Sequence, residues 1–197
     1  MATCVAAGGH RICPVLIDLG AESVRAPRGA YTEMAEQIDS GRQLVSNDQS
    51  QRAVELFSQS YNCAQSVYAA CATGDGLSEA QRLALAAPFG GGIARQGEVC
   101  GALTGALLTL GEAAGTAMAA DPVAGRNTLY EQAKQLTEAF RSAHGSILCR
   151  ELTGCSLDTE AGQRSFKERG LHVNLCTKLV AFAAEQVGTM TTASGQK

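Results

Sequence analysis

Four cysteines carry the chemistry open to this chain: Cys63 in YNCAQSV, Cys100 in CGALTG, Cys149 in SILCREL and Cys176 in NLCTKLV. They stand 37, 49 and 27 residues apart, so the paired CxxC spacing of a zinc ribbon is missing. Each falls in a different helix or helix end, and any shared site must be assembled by the fold. Four thiolates suit a [2Fe–2S] or [4Fe–4S] iron–sulfur cluster used for electron transfer. Two other chemistries use the same residues. One is a metal-free thiol–disulfide oxidoreductase, with Cys100 attacking and Cys63, Cys149 or Cys155 resolving. The other is a structural Cys4 or Cys3His zinc site in an interaction module.

Cys100 opens the stretch CGALTGALLTLG, after the glycine-rich loop FGGGIARQGEV. At a helix N-terminus, free N–H groups and the positive dipole end favour a thiolate, so a lowered thiol pKa is expected here. Gly101 and Gly105, like Ala102 and Ala106, are four apart and share a helix face. Glycine weakens a helix by about 1 kcal/mol relative to alanine, so two in one helix point to a close approach by another backbone or by a sulfur. The triple glycine Gly90–Gly92 lacks the lysine and hydroxyl of a P-loop; its expected role is to let the chain pass close to whatever Cys100 binds.

The remaining candidates are weaker. Cys155 is six residues from Cys149 and within reach of the same site, as an additional ligand or a resolving thiol. His172 and Cys176 are four apart, an acceptable spacing for two metal ligands. Cys71 lies on an apolar stripe and reads as a small buried hydrophobe. His144 precedes Gly145 at a helix end and reads as structural. Cys4 and Cys13 fit no ligand pattern, and no Ser/His/Asp set or carboxylate pair is recognisable.

These residues need helices to hold them. From Asn47 a helical period runs through Ala53, Phe57, Tyr61, Ala64, Tyr68 and Cys71 to the turn TGDG. Ser78 and Gln81 form a capping-box pattern for the next helix, which ends near Pro88. The small-residue helix follows; then DPVAGRN breaks the chain before a stripe of Leu129, Ala133, Leu136 and Phe140. A polar connector is expected over Asp158 to Gly170, and a last helix carries Leu175, Leu179, Phe182 and Ala183. No strand-period run or internal repeat is found. The expectation is an all-α bundle of five or six helices over 48–188, after a weakly structured arm (1–47) and before a frayed tail (189–197).

In YNCAQSV, FGGGIARQGEVCGALTG, ILCRELTG and CTKLVAFAAE the sequence resembles the C-GCAxxG-C-C family of redox proteins, block by block and in order, over about Ser50 to Val187. The resemblance implies four functional cysteines, here Cys63, Cys100, Cys149 and Cys176. A related domain in split-Soret cytochromes is suspected of holding an iron–sulfur cluster beside c-type haems. This chain has no C-x-x-C-H, so no covalent haem is expected.

Composition narrows the partners. Of 197 residues, 16 are Lys or Arg and 19 Asp or Glu, for a net charge of −3. Without a basic block there is no case for nucleic acid or an anionic membrane surface. The start lacks the basic region of a signal peptide. The charge-free run Gly101–Gly111 is too short to cross a bilayer, so no membrane insertion is expected. A cytoplasmic protein follows, where thiols stay reduced. Its expected partner is a redox protein, with a homodimer as the assembly allowed for.

Overall fold

The computed structural model describes the backbone of residues 48–194 and side chains up to 192. The N-terminal arm, with Cys4 and Cys13, lies outside the described residues. The described residues are all-α, as expected, but their helices are shorter and more broken than five or six continuous ones. Among the described residues the sole strand-like pairing is one isolated antiparallel bridge, Val99 with Leu148. No described helix is long and apolar enough to cross a membrane.

The helix expected to run unbroken from Asn47 to TGDG is two helices. Residues 48–58 form α1, and Ser60 then turns left-handed at φ 75°. Asn62 caps a new helix, α2 (Cys63–Cys71), accepting from the N–H groups of Ala64 and Gln65 while the Gln65 amide returns the bond. A short polar side chain that bonds nearby backbone competes with helix continuation. The apolar period runs straight through this break, which is why periodicity alone missed it.

Helix α3 (Glu79–Ala86) starts with the expected Ser78–Gln81 capping box and leads through a 3-10 turn, Ala87–Phe89, into the glycine loop. Helices α4 (Gly101–Ala113) and α5 (Gly115–Ala120) come next. The long α6 (Pro122–His144) is capped by Asp121 and ended by Gly145 in the left-handed conformation. A single turn, α7 (Cys149–Thr153), follows. The expected polar connector is in fact helix α8 (Glu160–Glu168), capped by Thr159. Its polarity reflects a surface position, with only Phe166 and its neighbours turned inward toward Leu157. A π-turn (His172–Cys176) leads into α9 (Thr177–Ser194).

The core gathers Val67 of α2, Leu103 of α4, Leu136 and Phe140 of α6, and Val180 and Val187 of α9. Cys71 is fully buried there, and burial pushes its thiol up to about 12. The His144 ring meets the edges of Phe140 and Phe182 at 4.8 and 4.7 Å, and its buried Nε2 has no hydrogen-bond partner among the described residues. Burial holds its imidazole below the usual histidine range.

Helix α4 crosses α2 with no side chain between the backbones. A Cβ at Gly105 would lie 2.5 Å from the Ala64 carbonyl oxygen, and one at Gly101 would lie 2.5 Å from the Cys63 sulfur and 2.8 Å from the Phe89 carbonyl. Beside this crossing, Arg82 pairs with Glu112 at 2.5 Å and Tyr68 donates to the same carboxylate at 2.6 Å. Bonding to Arg82 keeps the Glu112 carboxyl ionised below its ordinary range.

The crossing predicts opposite signs for two substitutions on one helix. Gly105→Ala forces a methyl into the α2 backbone and should lower unfolding free energy by about 1–3 kcal/mol. Gly111→Ala meets nothing within 4 Å and should raise it by about 0.5–1 kcal/mol through helix propensity. Urea unfolding of both variants and the parent chain reads the difference.

Candidate functional site

Each of the four cysteines is positioned by a local backbone device. Because Asn62 caps α2, Cys63 is that helix's first residue. Cys100 is the N-cap of α4, and Cys149 is the first residue of α7. Cys176 closes the π-turn, in which the N–H of Thr177 donates back to the carbonyl of His172. Three of the four thiols therefore stand at helix starts, where unpaired N–H groups and the positive dipole end gather.

Cys100 and Cys149 are brought side by side by a short antiparallel clamp. The N–H of Cys100 donates to the Ile147 carbonyl at 2.8 Å, that of Cys149 to the Glu98 carbonyl at 2.7 Å, and that of Arg150 to the Gly97 carbonyl at 3.0 Å. The Arg150 guanidinium adds bonds to the Gln96 carbonyl and the Glu98 carboxylate, both at 2.6 Å. A single bridge leaves no strand period in the sequence, so this clamp and Arg150 were not legible there. Gly92 was legible only as part of a glycine run. Its missing side chain is needed because a Cβ would fall 2.5 Å from the Glu98 carbonyl oxygen and 2.8 Å from the Cys149 Cβ.

All four cysteines line one open cavity of about 720 Å³. His172 lines it too, its ring stacked on Phe57 of α1 at 4.1 Å between centroids and 11° between planes. Cys155 does not line it. Cys155 is buried beside Cys149 and Leu157, with its sulfur 3.4 Å from an Arg169 guanidinium nitrogen and 3.9 Å from the Ser165 hydroxyl. All six cysteines among the described residues are free thiols.

The expectation of a lowered Cys100 pKa is overturned. Burial pushes this thiol far up, and the neighbouring Cys63 sulfur pushes the same way. The N–H groups of Ala102 and Leu103 at the start of α4 do pull it down, as the helix-start argument requires, but by less. Desolvation of an ion outweighs a few amide dipoles once water is excluded. Cys149 rises to about 11 and Cys176 to about 12, again chiefly by burial and then by the nearby Cys63. Cys63 is raised by burial as well, against the N–H groups of Gly91, Ala64 and Ala102.

One wall of the cavity is a turn of left-handed backbone. Gly91, Gly92, Ile93, Ala94 and Arg95 have φ of 66°, 70°, 58°, 50° and 69°. For the three non-glycine residues this conformation costs about 1–2 kcal/mol each. Hydrogen bonds from the N–H of Ala94 to the Pro88 carbonyl (2.7 Å) and from Arg95 to Gly90 (3.1 Å) hold it in place. Strain of this kind collects where the surroundings over-determine a functional surface.

The helices thus present four free thiols to one cavity. Residues 61–190 match the model of the family described as "Putative redox-active protein (C_GCAxxG_C_C)", and the chain belongs to that family. No curated protein and no solved structure matches it.

Two outcomes follow. In the reduced, metal-free protein the cavity thiols should alkylate slowly at neutral pH, with rates still rising up to pH 10. Cys149 should react ahead of Cys176, as read by mass spectrometry of iodoacetamide-labelled peptides across a pH series. A plateau for Cys100 below pH 8 would contradict the dominance of burial. Separately, Ala94→Gly should stabilise the fold by about 1 kcal/mol in urea by relieving left-handed strain.

Proposed function

We propose that Cys63, Cys100, Cys149 and Cys176 ligate an iron–sulfur cluster through which the protein transfers electrons. The observation that supports this reading is the shared cavity of four thiols whose ionisation burial opposes. Four buried thiolates are unfavourable unless cationic metal neutralises them, and a ligating thiol gives up its proton outright. The donor set is all sulfur, which favours iron–sulfur chemistry or zinc over hard cations. Among the described residues no three His, Cys, Asp or Glu groups are placed to grip a single metal ion. That absence counts against the mononuclear zinc reading.

When bound, such a cluster supplies one-electron transfer. The chain's own residues do the rest. The starts of α2 and α4 aim N–H groups at Cys63 and Cys100, which offsets negative charge on sulfur. Gly92 and Gly101 keep space open at Cys149 and Cys63. Leu152, Leu157, Phe166 and Leu179 line the cavity with apolar surface and limit water at the sulfurs. The Cys155 sulfur meets Arg169 and does not line the cavity, so Cys155 is not among the ligands we assign. His172 stays a stacked wall residue in this reading, beside the Cys176 ligand.

A metal-free thiol–disulfide exchange is disfavoured by the same raised pKa values, since the attacking species is the thiolate. Anaerobic purification with iron, zinc and acid-labile sulfide analysis and a visible spectrum separates the readings. The expected result is iron with sulfide and a broad visible band. Cys100→Ser should lose most of that band while helix content by circular dichroism stays near that of the parent. Zinc without sulfide, or no metal with disulfides that reduce reversibly, would overturn the proposal.

A further inference from the structure

We propose that the outer part of the four-cysteine cavity is a binding site for a small anionic reactant, a molecule carrying a carboxylate or oxyanion, with Arg95 as its counter-charge. This rests on reading the cavity as a redox site and adds the class of molecule that enters it. A space of about 720 Å³ is within the range of small-molecule sites, about 300–1,000 Å³, and the sulfurs occupy only part of its wall. The cavity is open, so its outer part is reachable from solvent.

The charge on that wall is one-sided. None of the residues lining it is Asp, Glu or Lys, and Arg95 is its one permanent charge. The other arginines near the site are engaged. Arg150 is tied to Glu98 and the loop carbonyls, and Arg169 to the Thr153 carbonyl and the Cys155 sulfur. Arg95 makes no ion pair with any described residue. It is placed by the left-handed turn Gly91–Arg95, held by the bonds from the N–H of Ala94 to Pro88 and of Arg95 to Gly90. Arg95 is the one permanent charge on this wall, and the starts of α2 and α4 add to its positive field, so the outer part of the cavity favours anions. The hydroxyls of Ser60 and Tyr61 line the same space and offer neutral hydrogen bonds to an oxyanion.

The test uses the full chain, reduced and metal-free, so that its outcome does not depend on whether a cluster forms. Two disulfide probes are compared at pH 9: dithiobis(nitrobenzoate), which carries two carboxylates, and neutral 4,4′-dithiodipyridine. In each reaction a cavity sulfur bonds to one probe sulfur, the probe S–S bond breaks, and the other half leaves as the thiolate with the electron pair. The anionic-to-neutral rate ratio should fall about tenfold in Arg95→Gln, be mostly kept in Arg95→Lys, and shrink in the parent chain as salt is raised. The neutral probe serves as the measure of access and folding. An unchanged ratio in Arg95→Gln, whether or not both rates move together, would overturn the proposal.

Discussion

The contact on which the rest of this structure depends is the backbone-to-backbone crossing of α4 over α2 at Gly101 and Gly105. It seats the first residue of one helix against the first turn of the other, and so sets Cys63 beside Cys100. The glycine weakening of α4 is repaid by burial on both faces. Leu103, Ala106 and Leu110 pack into the main core with α6 and α9, while the Tyr68–Glu112–Arg82 network closes the far side of the crossing. Any side chain at Gly101 would have to displace either a sulfur or the Phe89 carbonyl.

The same closeness creates an electrostatic conflict. Helix starts favour thiolates, and burial opposes them; with four sulfurs together, each ionisation also makes the next harder. The order of effects at Cys100 shows which wins in the absence of a counter-charge: desolvation first, the Cys63 sulfur second, the amides of α4 third. A site of this kind is poorly suited to thiolate attack, which is the ground on which we propose a group that brings its own positive charge. The family to which the chain belongs is described in redox terms, and this balance of burial against dipole gives that description a physical content.

The glycine loop closes the site at a cost in backbone strain. Five successive residues run left-handed, three of them with side chains, because the clamp between 97–100 and 147–150 fixes the far end of the loop and Pro88 and Gly90 fix the near end. Glycines occupy the positions where a neighbour comes closest, Gly92 against Glu98 and Cys149 and Gly97 against the Arg150 Cβ. Ile93 and Ala94 are exposed, so their strain is not explained by packing of their own side chains.

Much was legible in the sequence. The all-α class, the Ser78 capping box, the α6 stripe ending at Gly145, the core role of Cys71 and the small-residue face of α4 all follow from local rules of period, cap and side-chain size. Context and the order of their blocks also singled out Cys63, Cys100, Cys149 and Cys176, which line one cavity. The break at Ser60 was also written there, as Asn62 followed by Gln65, but a continuous apolar period masked it. What only the tertiary structure decided is where the sulfurs stand and how they ionise. The Val99–Leu148 clamp is one bridge long and has no sequence period. Cys155 stands outside the cavity lining, its sulfur against Arg169, 14 residues away. The sign of the Cys100 shift reversed because a helix start is a local property that sequence displays, whereas desolvation depends on every chain segment that covers the sulfur.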